Sequence, residues 1–239
     1  MRRLFTFFLA LIASAGTIFA ESGTCGADGD NLTWTLTDGV LTISGTGDMK
    51  DFSSEDPSWA PYISSIQSVV IEEGVENIGM YAFWQCSALT AVTIPKSVWS
   101  IGQCAFNACY VLSSITIPSN VSFIGAWTFY GCTGLTSITC KAKEPPYCSS
   151  DCFGFVNNSI PVYVPQGTKA AYKDANEWKE FNNILDELPC EPIVGTCGAD
   201  GDNLTWALSC EGVLTISGTG DMQDLPFLPT LLCRACSDG

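Results

Sequence analysis

The sequence predicts an α/β repeat fold, a short solenoid on a parallel sheet with a β-hairpin cap at its N-terminal end and a helical cap at its C-terminal end. Three observations predict it. One segment recurs every 23 residues, beginning at Ile78, Ile101 and Ile124. An alternating apolar segment with an Asp-Gly turn precedes these copies, and a segment with apolar residues at helical spacing follows them. Units of this length cannot bury their apolar faces singly, so they must stack.

Five positions of the repeat carry the same residue in all three copies. In the first copy they are Ile78, Gly79, Phe83, Cys86 and Leu89, and each returns 23 and then 46 residues later. Five coincidences in register exclude chance. A unit of about 20 to 29 residues with a Leu-x-x-Ile-x-Ile core has the length of a leucine-rich repeat. We therefore predict a short leucine-rich-repeat solenoid.

Two of these positions lead to specific structural expectations. Glycine at Gly79 suits a bend that needs unusual backbone angles. Cysteine at Cys86 should stack with its two counterparts inside the solenoid, because a free cysteine packs as a small hydrophobe. The chain has 13 cysteines, and others such as Cys148 and Cys152 are expected in loops or caps, where disulfide pairing stays open.

The solenoid needs a cover for its apolar layer at each end. Before the copies, residues 31–44 alternate apolar and polar side chains around an Asp-Gly turn, which predicts a β-hairpin. After the copies, residues 168–188 predict a capping helix with one apolar side, formed by Trp178, Phe181, Leu185 and Leu188.

A longer-range repetition lies near the C-terminal end. Residues 23–34 return unchanged as 195–206, and residues 39–49 return as 212–222. Repeats follow the first of these modules, whereas a different sequence follows the second. We therefore expect Trp206, Leu208 and Ile216 to find another surface or to stay partly exposed.

The N-terminal end has the pattern of a cleaved secretory signal. Arg2 and Arg3 precede an apolar run that ends at Ala20, with no stop-transfer segment after it. We expect export and no membrane insertion once this signal is removed. The predicted organisation is a signal peptide at 1–20, a hairpin cap and connector at 21–62, leucine-rich repeats at 63–140, an irregular turn with the last strand and the capping helix at 141–192, the duplicated hairpin module at 193–224 and a disordered tail at 225–239.

The composition excludes several classes of function. A net charge of −15 argues against nucleic acid as a partner. The chain has no histidine, which removes Ser-His-Asp and Cys-His catalysis and histidine-ligated metal sites. Residues 28–31 hold oxygen ligands at close spacing but lack the later acidic ligand of a calcium loop, so a turn is the simpler interpretation. We expect no enzymatic activity, no cofactor and no metal.

The repeat phrase I-G-x-x-A-F-x-x-C-x-x-L-x-x-I-x-I-P-x-x-V, which begins at Ile78 and again at Ile101, resembles the BspA-type leucine-rich repeat of bacterial and protist surface proteins. Residues 162–184 are similar to the terminal cap of many such proteins. The Gly-Thr-Cys-Gly module is similar to modules that precede their arrays. The resemblance implies secretion or surface display and, in characterised members, adhesion to host or bacterial proteins. It implies no fixed set of ligand-binding residues.

The candidate binding surface consists of outward strand positions and repeat-borne aromatic residues. Exposed Trp and Tyr are typical hot-spot residues in protein recognition. The alternative, which stays open, is that several of the aromatic side chains fold back to thicken a thin core. The candidate residues are the strand residues Thr93, Thr116 and Thr139 and the aromatic residues Trp84, Trp99, Tyr110, Phe123, Trp127 and Tyr130.

Three functional hypotheses follow from these observations. The first is a secreted or cell-surface binding module that recognises or adheres to an extracellular protein of a host or bacterial surface. The second is a structural spacer or assembly element without a specific ligand. The third is a carbohydrate-binding or glycan-acting protein, and glycan hydrolysis would need a pair of carboxylates.

Overall fold

The computed structural model describes residues 21–53, 57–186, 193–198, 201–208 and 214–219. The chain divides into two compact units, Met1–Leu188 and Pro189–Gly239. The predicted signal peptide at 1–20 and the predicted disordered tail at 225–239 lie outside the described residues.

The described residues of the first unit form short strands joined by turns, one α-helix and two 3-10 helices, Ala60–Ser65 and Trp178–Glu180. The strands are β1 (Glu21–Gly26), β2 (Gly29–Thr37), β3 (Val40–Gly45), β4 (Ser68–Ile71), β5 (Asn77–Ile78), β6 (Ala91–Thr93), β7 (Ser100–Ile101), β8 (Ser114–Ile117), β9 (Phe123–Ile124), β10 (Ser137–Cys140), β11 (Tyr147–Cys148), β12 (Pro161–Tyr163) and β13 (Asn183–Leu185); the helix is α1 (Lys169–Asp174).

The N-terminal cap is a three-stranded antiparallel meander, one strand more than the predicted hairpin. The hairpin of β2 and β3 is confirmed, with Trp34 opposite Ile43. Strand β1 pairs with β2 along its other edge. Its residues show no apolar alternation, so only the pairing reveals it. Strand β3 then pairs in parallel with β4, which joins the cap directly to the solenoid.

The repeats stack as predicted, with parallel strands on one face. The sheet β1-β2-β3-β4-β6 and the sheet β8-β10-β12-β13 share this face. The ladder is interrupted between them, where a main-chain hydrogen bond of 3.5 Å from the Ser113 N–H to the Thr90 carbonyl remains. Beyond residue 140 the stacking continues, because Val162 pairs with Ile138 and Ile184 pairs with Val162.

A second face is the four-stranded parallel sheet β5-β7-β9-β11. The third face consists of the turns that follow each strand of this second sheet. Their main-chain N–H groups donate to the next repeat, as from Tyr81 to Gln103 at 3.0 Å and from Phe83 to Ala105 at 2.8 Å. Adjacent repeats are therefore hydrogen-bonded on all three faces.

The core is centred on a column of stacked aromatic rings. Trp59, Phe83, Phe106, Phe129 and Phe153 follow one another with centroid separations between 5.2 and 5.6 Å and interplanar angles of 21° or less. We call these five residues the aromatic spine. The Cα atoms of adjacent strands lie about 4.8 Å apart, so one ring per repeat fits the stacking distance of the sheet.

The predicted stack of cysteines is confirmed. Cys86, Cys109 and Cys132 are buried and free. The thiol of Cys109 donates to the Phe83 carbonyl at 3.2 Å, and that of Cys132 donates to the Phe106 carbonyl at 3.1 Å. Burial raises the pKa of Cys86 and of Cys132 to about 12, and it raises the pKa of Cys109 as well. These thiols are core packing groups.

Cys148 and Cys152 lie in the core instead of in exposed loops. Both are buried and free. Cys148 pairs with Ile124 on the second sheet, so it occupies the isoleucine position of a fourth turn. Burial raises the pKa of Cys152 well above its ordinary value, with a further contribution from the neighbouring Cys148.

The repeat glycines serve close approach between repeats, so the expected role in backbone angles was wrong. Gly102 and Gly125 do not have positive φ. A Cβ atom at Gly102 would lie 2.6 Å from the Met80 nitrogen, and one at Gly125 would lie 2.4 Å from the Gln103 nitrogen. The left-handed conformation belongs to other residues, with φ between 52° and 63° at Tyr81, Gln85, Cys104, Ala108, Trp127, Asp151 and Phe155.

The predicted helix over residues 168–188 is wrong in its extent. Helix α1 ends at Asp174, and Ala175 is extended. Trp178 is buried in the following 3-10 helix, where its indole N–H donates to the Pro146 carbonyl at 2.9 Å. The chain then forms β13, in which Ile184 lies beside Val162. A continuous helix could not supply this last strand to the sheet. Leu188 lies outside the described residues.

The second unit contains β14 (Ile193–Gly198), β15 (Gly201–Leu208) and β16 (Leu214–Gly218), which form an antiparallel meander. Ile216 is 43% exposed, as expected for a module without repeats to cover it. The side chains of Trp206 and Leu208 lie outside the described residues.

The glycine contacts predict a large effect of one methyl group. Gly102→Ala forces a Cβ against the preceding backbone, and the overpacking should lower the free energy of unfolding by about 2–3 kcal/mol. Gly167→Ala is the control, because its φ is +84° and nothing lies within 4 Å of the added Cβ. The control should lose only about 1 kcal/mol. Urea denaturation of both variants tests this, and equal losses would contradict the close-approach role.

The buried thiols predict a loss of stability at alkaline pH. The folded state raises the pKa of Cys86 and Cys132 from 9.0 to about 12, so it binds these protons more tightly than the unfolded chain. Their contribution is complete below pH 9 and is lost as the pH rises toward 12. We expect the free energy of unfolding to fall less steeply over this range in the double variant Cys86→Ala, Cys132→Ala. Urea denaturation at several pH values measures this. A free energy of unfolding that falls equally steeply with pH in variant and parent would refute the prediction.

Candidate functional site

The outward face of the parallel sheets is flat and rich in hydroxyl groups. Thr116 pairs with Thr139, and Val70 pairs with Thr93. Thr93 and Thr116 are exposed, whereas Thr139 is half-buried. The column ends at Tyr163, which pairs with Thr139 and is half-buried. This face offers hydrogen bonding without large anchoring side chains.

Two of the predicted aromatic residues lie at the second sheet. Trp99 directly precedes β7, and Phe123 begins β9. Phe123 pairs with Tyr147, and their rings stack at 6.0 Å with an interplanar angle of 17°. The exposed fractions are 49% for Trp99, 40% for Phe123 and 63% for Tyr147. We call these three residues the lateral column.

A second group lies on the turn face. Phe155 is 73% exposed, and its ring meets Tyr130 edge-on at 4.9 Å. The ring of Tyr130 covers Gly154, where a Cβ atom would come within 2.5 Å of it. Tyr110 is 51% exposed, and the adjacent Val111 is exposed too. We call Tyr110, Val111, Tyr130 and Phe155 the turn patch.

The remaining two candidates have different environments. Trp84 is half-buried, and its ring meets Tyr81 edge-on at 6.4 Å. Trp127 is 40% exposed and has a left-handed backbone with φ of 55°. The six predicted aromatic residues therefore do not form one surface. Four are exposed on two faces, and Trp84 and Tyr130 are half-buried against neighbouring rings.

Sequence reasoning missed Tyr147, Val111 and Phe155. Tyr147 and Phe155 belong to the fourth turn. The repeat pattern is hard to recognise there, because two prolines stand at 145–146 and a cysteine replaces the repeat isoleucine. One signal could have found it. Cys148 follows Ile124 by 24 residues and Phe153 follows Phe129 by 24, so the fourth turn is a copy with one inserted residue.

A cleft of about 440 Å³ opens beside Phe155 at this fourth turn. The rings of Phe153 and Phe181 and the acidic residues Asp151, Glu177 and Glu180 line it. Glu177 is structurally engaged, since its two carboxylate oxygens accept main-chain N–H groups of Asp151 at 3.2 Å and of Cys152 at 3.0 Å. Its backbone has a positive φ of 65°. The cleft is acidic and aromatic at once.

Two kinds of feature are absent from the part of the chain that the structure describes. No group of three or more acidic, cysteine or histidine side chains there is arranged to hold a metal ion. No helix there is long and apolar enough to cross a membrane.

Comparison with solved structures finds similar folds in gut bacteria. One is a leucine-rich repeat protein from Eubacterium ventriosum ATCC 27560 (21% identity, TM-score 0.44, 83% of this chain, 49% of that one). Another is a leucine rich cell surface protein from Faecalibacterium prausnitzii A2-165 (16% identity, TM-score 0.32, 81% of this chain, 61% of that one). The chain thus spans about half to three fifths of these proteins. Comparison with curated proteins gives no significant match.

The repeat itself has a family model. The BspA-type leucine-rich repeat region matches residues 60–179 in six copies. The matched range begins at the 3-10 helix Ala60–Ser65 and extends past β12 into the terminal cap, so it covers the stacked turns described above. This match covers half of the chain, and the chain belongs to the BspA-type leucine-rich repeat family.

Proposed function

We propose that this chain is a secreted or surface-displayed binding module that recognises an extracellular protein of a host or bacterial surface, without enzymatic activity. The family and fold indicate protein–protein recognition in general. The observation that carries the proposal is the exposure of large aromatic side chains on a scaffold whose core is complete without them.

The aromatic spine and the aliphatic strand residues fill the interior. Phe83, Phe106 and Phe129 are fully buried and touch one another. By contrast, Trp99, Tyr147 and Phe155 are each about half exposed or more. Exposed aromatic residues on a rigid frame bury a large area on binding at a small cost in conformational entropy, which is the usual character of hot spots.

The ring arrangement favours a protein partner over a glycan. Sugar rings stack on open aromatic faces, and Phe123 and Tyr147 turn faces toward each other. The ring of Tyr130 lies against Gly154 and meets the ring of Phe155 at an interplanar angle of 86°. Each of these two pairs therefore uses at least one ring face on its partner ring, and Phe155 is the most exposed of the four side chains. Apolar and cationic protein side chains fit them.

The charge of the protein favours a basic partner surface. The chain has a net charge of −15, and Asp151 and Glu180 lie in the same cleft as Phe155. Charge complementarity raises the rate of encounter and suppresses acidic partners, nucleic acid among them. A protein surface with exposed Lys or Arg beside apolar residues is the partner that this part of the turn face suits.

The second candidate function is a structural spacer. The nearly verbatim duplication of the meander and the flat hydroxyl-rich strand face favour it. A spacer has no need for exposed aromatic anchors, so binding measurements separate the two functions.

A pair of matched variants tests the binding function. The variants are Trp99→Ser with Tyr147→Ser in the lateral column and Tyr110→Ser with Phe155→Ser in the turn patch. We expect one of them to lower the affinity for its protein partner at least about 100-fold, as loss of two hot-spot residues does. Biolayer interferometry against a panel of host-matrix and bacterial-surface proteins, with a glycan array beside it, measures this.

The control is Lys173→Ser with Asp174→Ser, which changes two exposed residues of α1 outside the strand face and both aromatic groups and leaves the net charge unchanged. All variants should unfold at the parental urea midpoint, because the substituted side chains are outside the core. Binding to the panel that survives both aromatic variants would contradict the assignment. Absence of any protein partner would support the spacer, and a glycan ligand would support the third hypothesis.

Export has its own test. Expression of the full-length chain in a secreting bacterium should give a mature protein that starts at Glu21, since the apolar run ends at Ala20. N-terminal sequencing of the culture supernatant and cell-surface fractions measures this. A retained Met1 in every fraction would contradict secretion.

A further inference from the structure

The second meander repeats the first in backbone register as well as in sequence. Trp206 lies opposite Ile216 as Trp34 lies opposite Ile43, and both modules have a register shift at the same place in their first pair of strands. Gly45 and Gly218 share an unusual φ, 123° and 127°. The two modules therefore present the same strand edge in the same conformation.

The first meander shows what this edge binds. Strand β3 pairs in parallel with β4, with Leu41 beside Val69 and Ile43 beside Ile71. The main-chain carbonyl of Ile43 accepts the N–H of Glu72 at 3.0 Å. Ile43 is fully buried in this arrangement. The occupant of the edge is the opening strand of a repeat array.

Further contacts of the first meander depend on residues that the second copy also has in its sequence. The Gly47 N–H donates to the Gly74 carbonyl at 2.9 Å, and the Met49 N–H donates to the Asn77 side-chain oxygen at 2.7 Å. Met49 is buried. The whole stretch 39–49, which makes these contacts, is identical to 212–222.

The second meander has the same edge without this occupant. Within the described residues, β16 pairs with β15 alone. Ile216 is 43% exposed, whereas its counterpart Ile43 is fully buried. The difference marks the surface that an opening strand covers in the first unit.

We propose that the edge of β16 binds the opening strand of the repeat array, Ser68–Ile71, in a second copy of this chain. Docking of this kind is heterologous, since a C-terminal module of one copy caps the N-terminal end of the array in another. It joins chains head to tail into dimers or longer assemblies. The inference is independent of the proposed binding function, because it uses neither the lateral column nor the turn patch.

Competition with the covalently attached meander limits this docking in the parent protein. The attached module acts at an effective concentration of about 1 mM, as for a short linker. Two modules of equal intrinsic affinity then divide the array in the ratio of their concentrations, so about 2% of arrays are capped by another copy at about 20 μM chain. Weakening the first meander alone shifts this ratio toward assembly.

Matched substitutions in the two modules test the proposal in the full-length chain. Ile43→Asp places a carboxylate in a buried apolar site and should weaken the attached meander about 1,000-fold. At about 20 μM, capping by another copy then exceeds capping by the chain's own meander about 20-fold. Analytical ultracentrifugation should show concentration-dependent association of Ile43→Asp. Ile216→Asp and the double variant should both remain monomeric.

Association of the double variant as strong as that of Ile43→Asp would overturn the proposal, and so would a folded, monomeric Ile43→Asp chain. A second measurement serves if Ile43→Asp does not fold. In this measurement the photocrosslinking residue p-benzoylphenylalanine replaces Ile216 in the full-length chain. Equal amounts of ¹⁵N-labelled and unlabelled chains are refolded together at about 1 mM and irradiated.

Mass spectrometry then locates the crosslinks of position 216. Mixed-isotope crosslinks to β4 or to the adjacent Glu72 support docking onto the array of a second copy. Crosslinks to β4 that join only peptides of the same isotope composition would show contact within one chain and would overturn the proposal. Crosslinks confined to other parts of the chain would overturn it as well. A crosslink between two copies of β16 would show that the edge pairs with itself and would overturn it too.

Discussion

Stacking of one phenyl ring on the next fixes the distance at which neighbouring repeats can pack, and the other contacts of the solenoid follow from that distance. The rings of the aromatic spine lie 5.2 to 5.6 Å apart, close to the spacing of strands in a sheet. Because the ring separation in the spine is close to the strand spacing in the sheets, each repeat makes ring contacts inside the solenoid and main-chain hydrogen bonds at its faces. The repeat glycines are a condition of this agreement, since a Cβ at Gly102 would hold neighbouring turns apart.

The same short distance explains the chemistry of the interior. With one cysteine per repeat beside the spine, three thiols lie in a column without room for water, and burial raises the pKa of each. The thiols of Cys109 and Cys132 donate to main-chain carbonyls of the preceding repeat. In this fold these three cysteines are packing residues, and a high cysteine content does not by itself indicate disulfide bonds.

A solenoid with so regular an interior does not need its variable positions for packing. Side chains such as Trp99 and Phe155 occupy places that the core does not require, and they differ from repeat to repeat. The proposed recognition and the proposed assembly therefore use different parts of the protein: the aromatic surfaces belong to individual turns, whereas the duplicated meander offers a main-chain edge. One can change without the other because no residue is shared between them.

The sequence by itself determined the repeat, its period, the buried Phe and Cys columns and the outward threonines, because each depends on a pattern that must recur for identical units to stack. It named six aromatic candidates and left open which of them lie off the core, and the structure leaves four of them exposed. Only the tertiary structure decided what depends on contacts between unlike segments. Strand β1 forms because it pairs with β2. Residues 175–185 are not part of the helix because Ile184 pairs with Val162 in the sheet. The fourth turn is recognised only from the stacking of Phe153 on Phe129 in the spine. Local propensity contains no information about such partners. The exposure of Tyr147 and Phe155 follows from the fold of the fourth turn and could not be predicted without it.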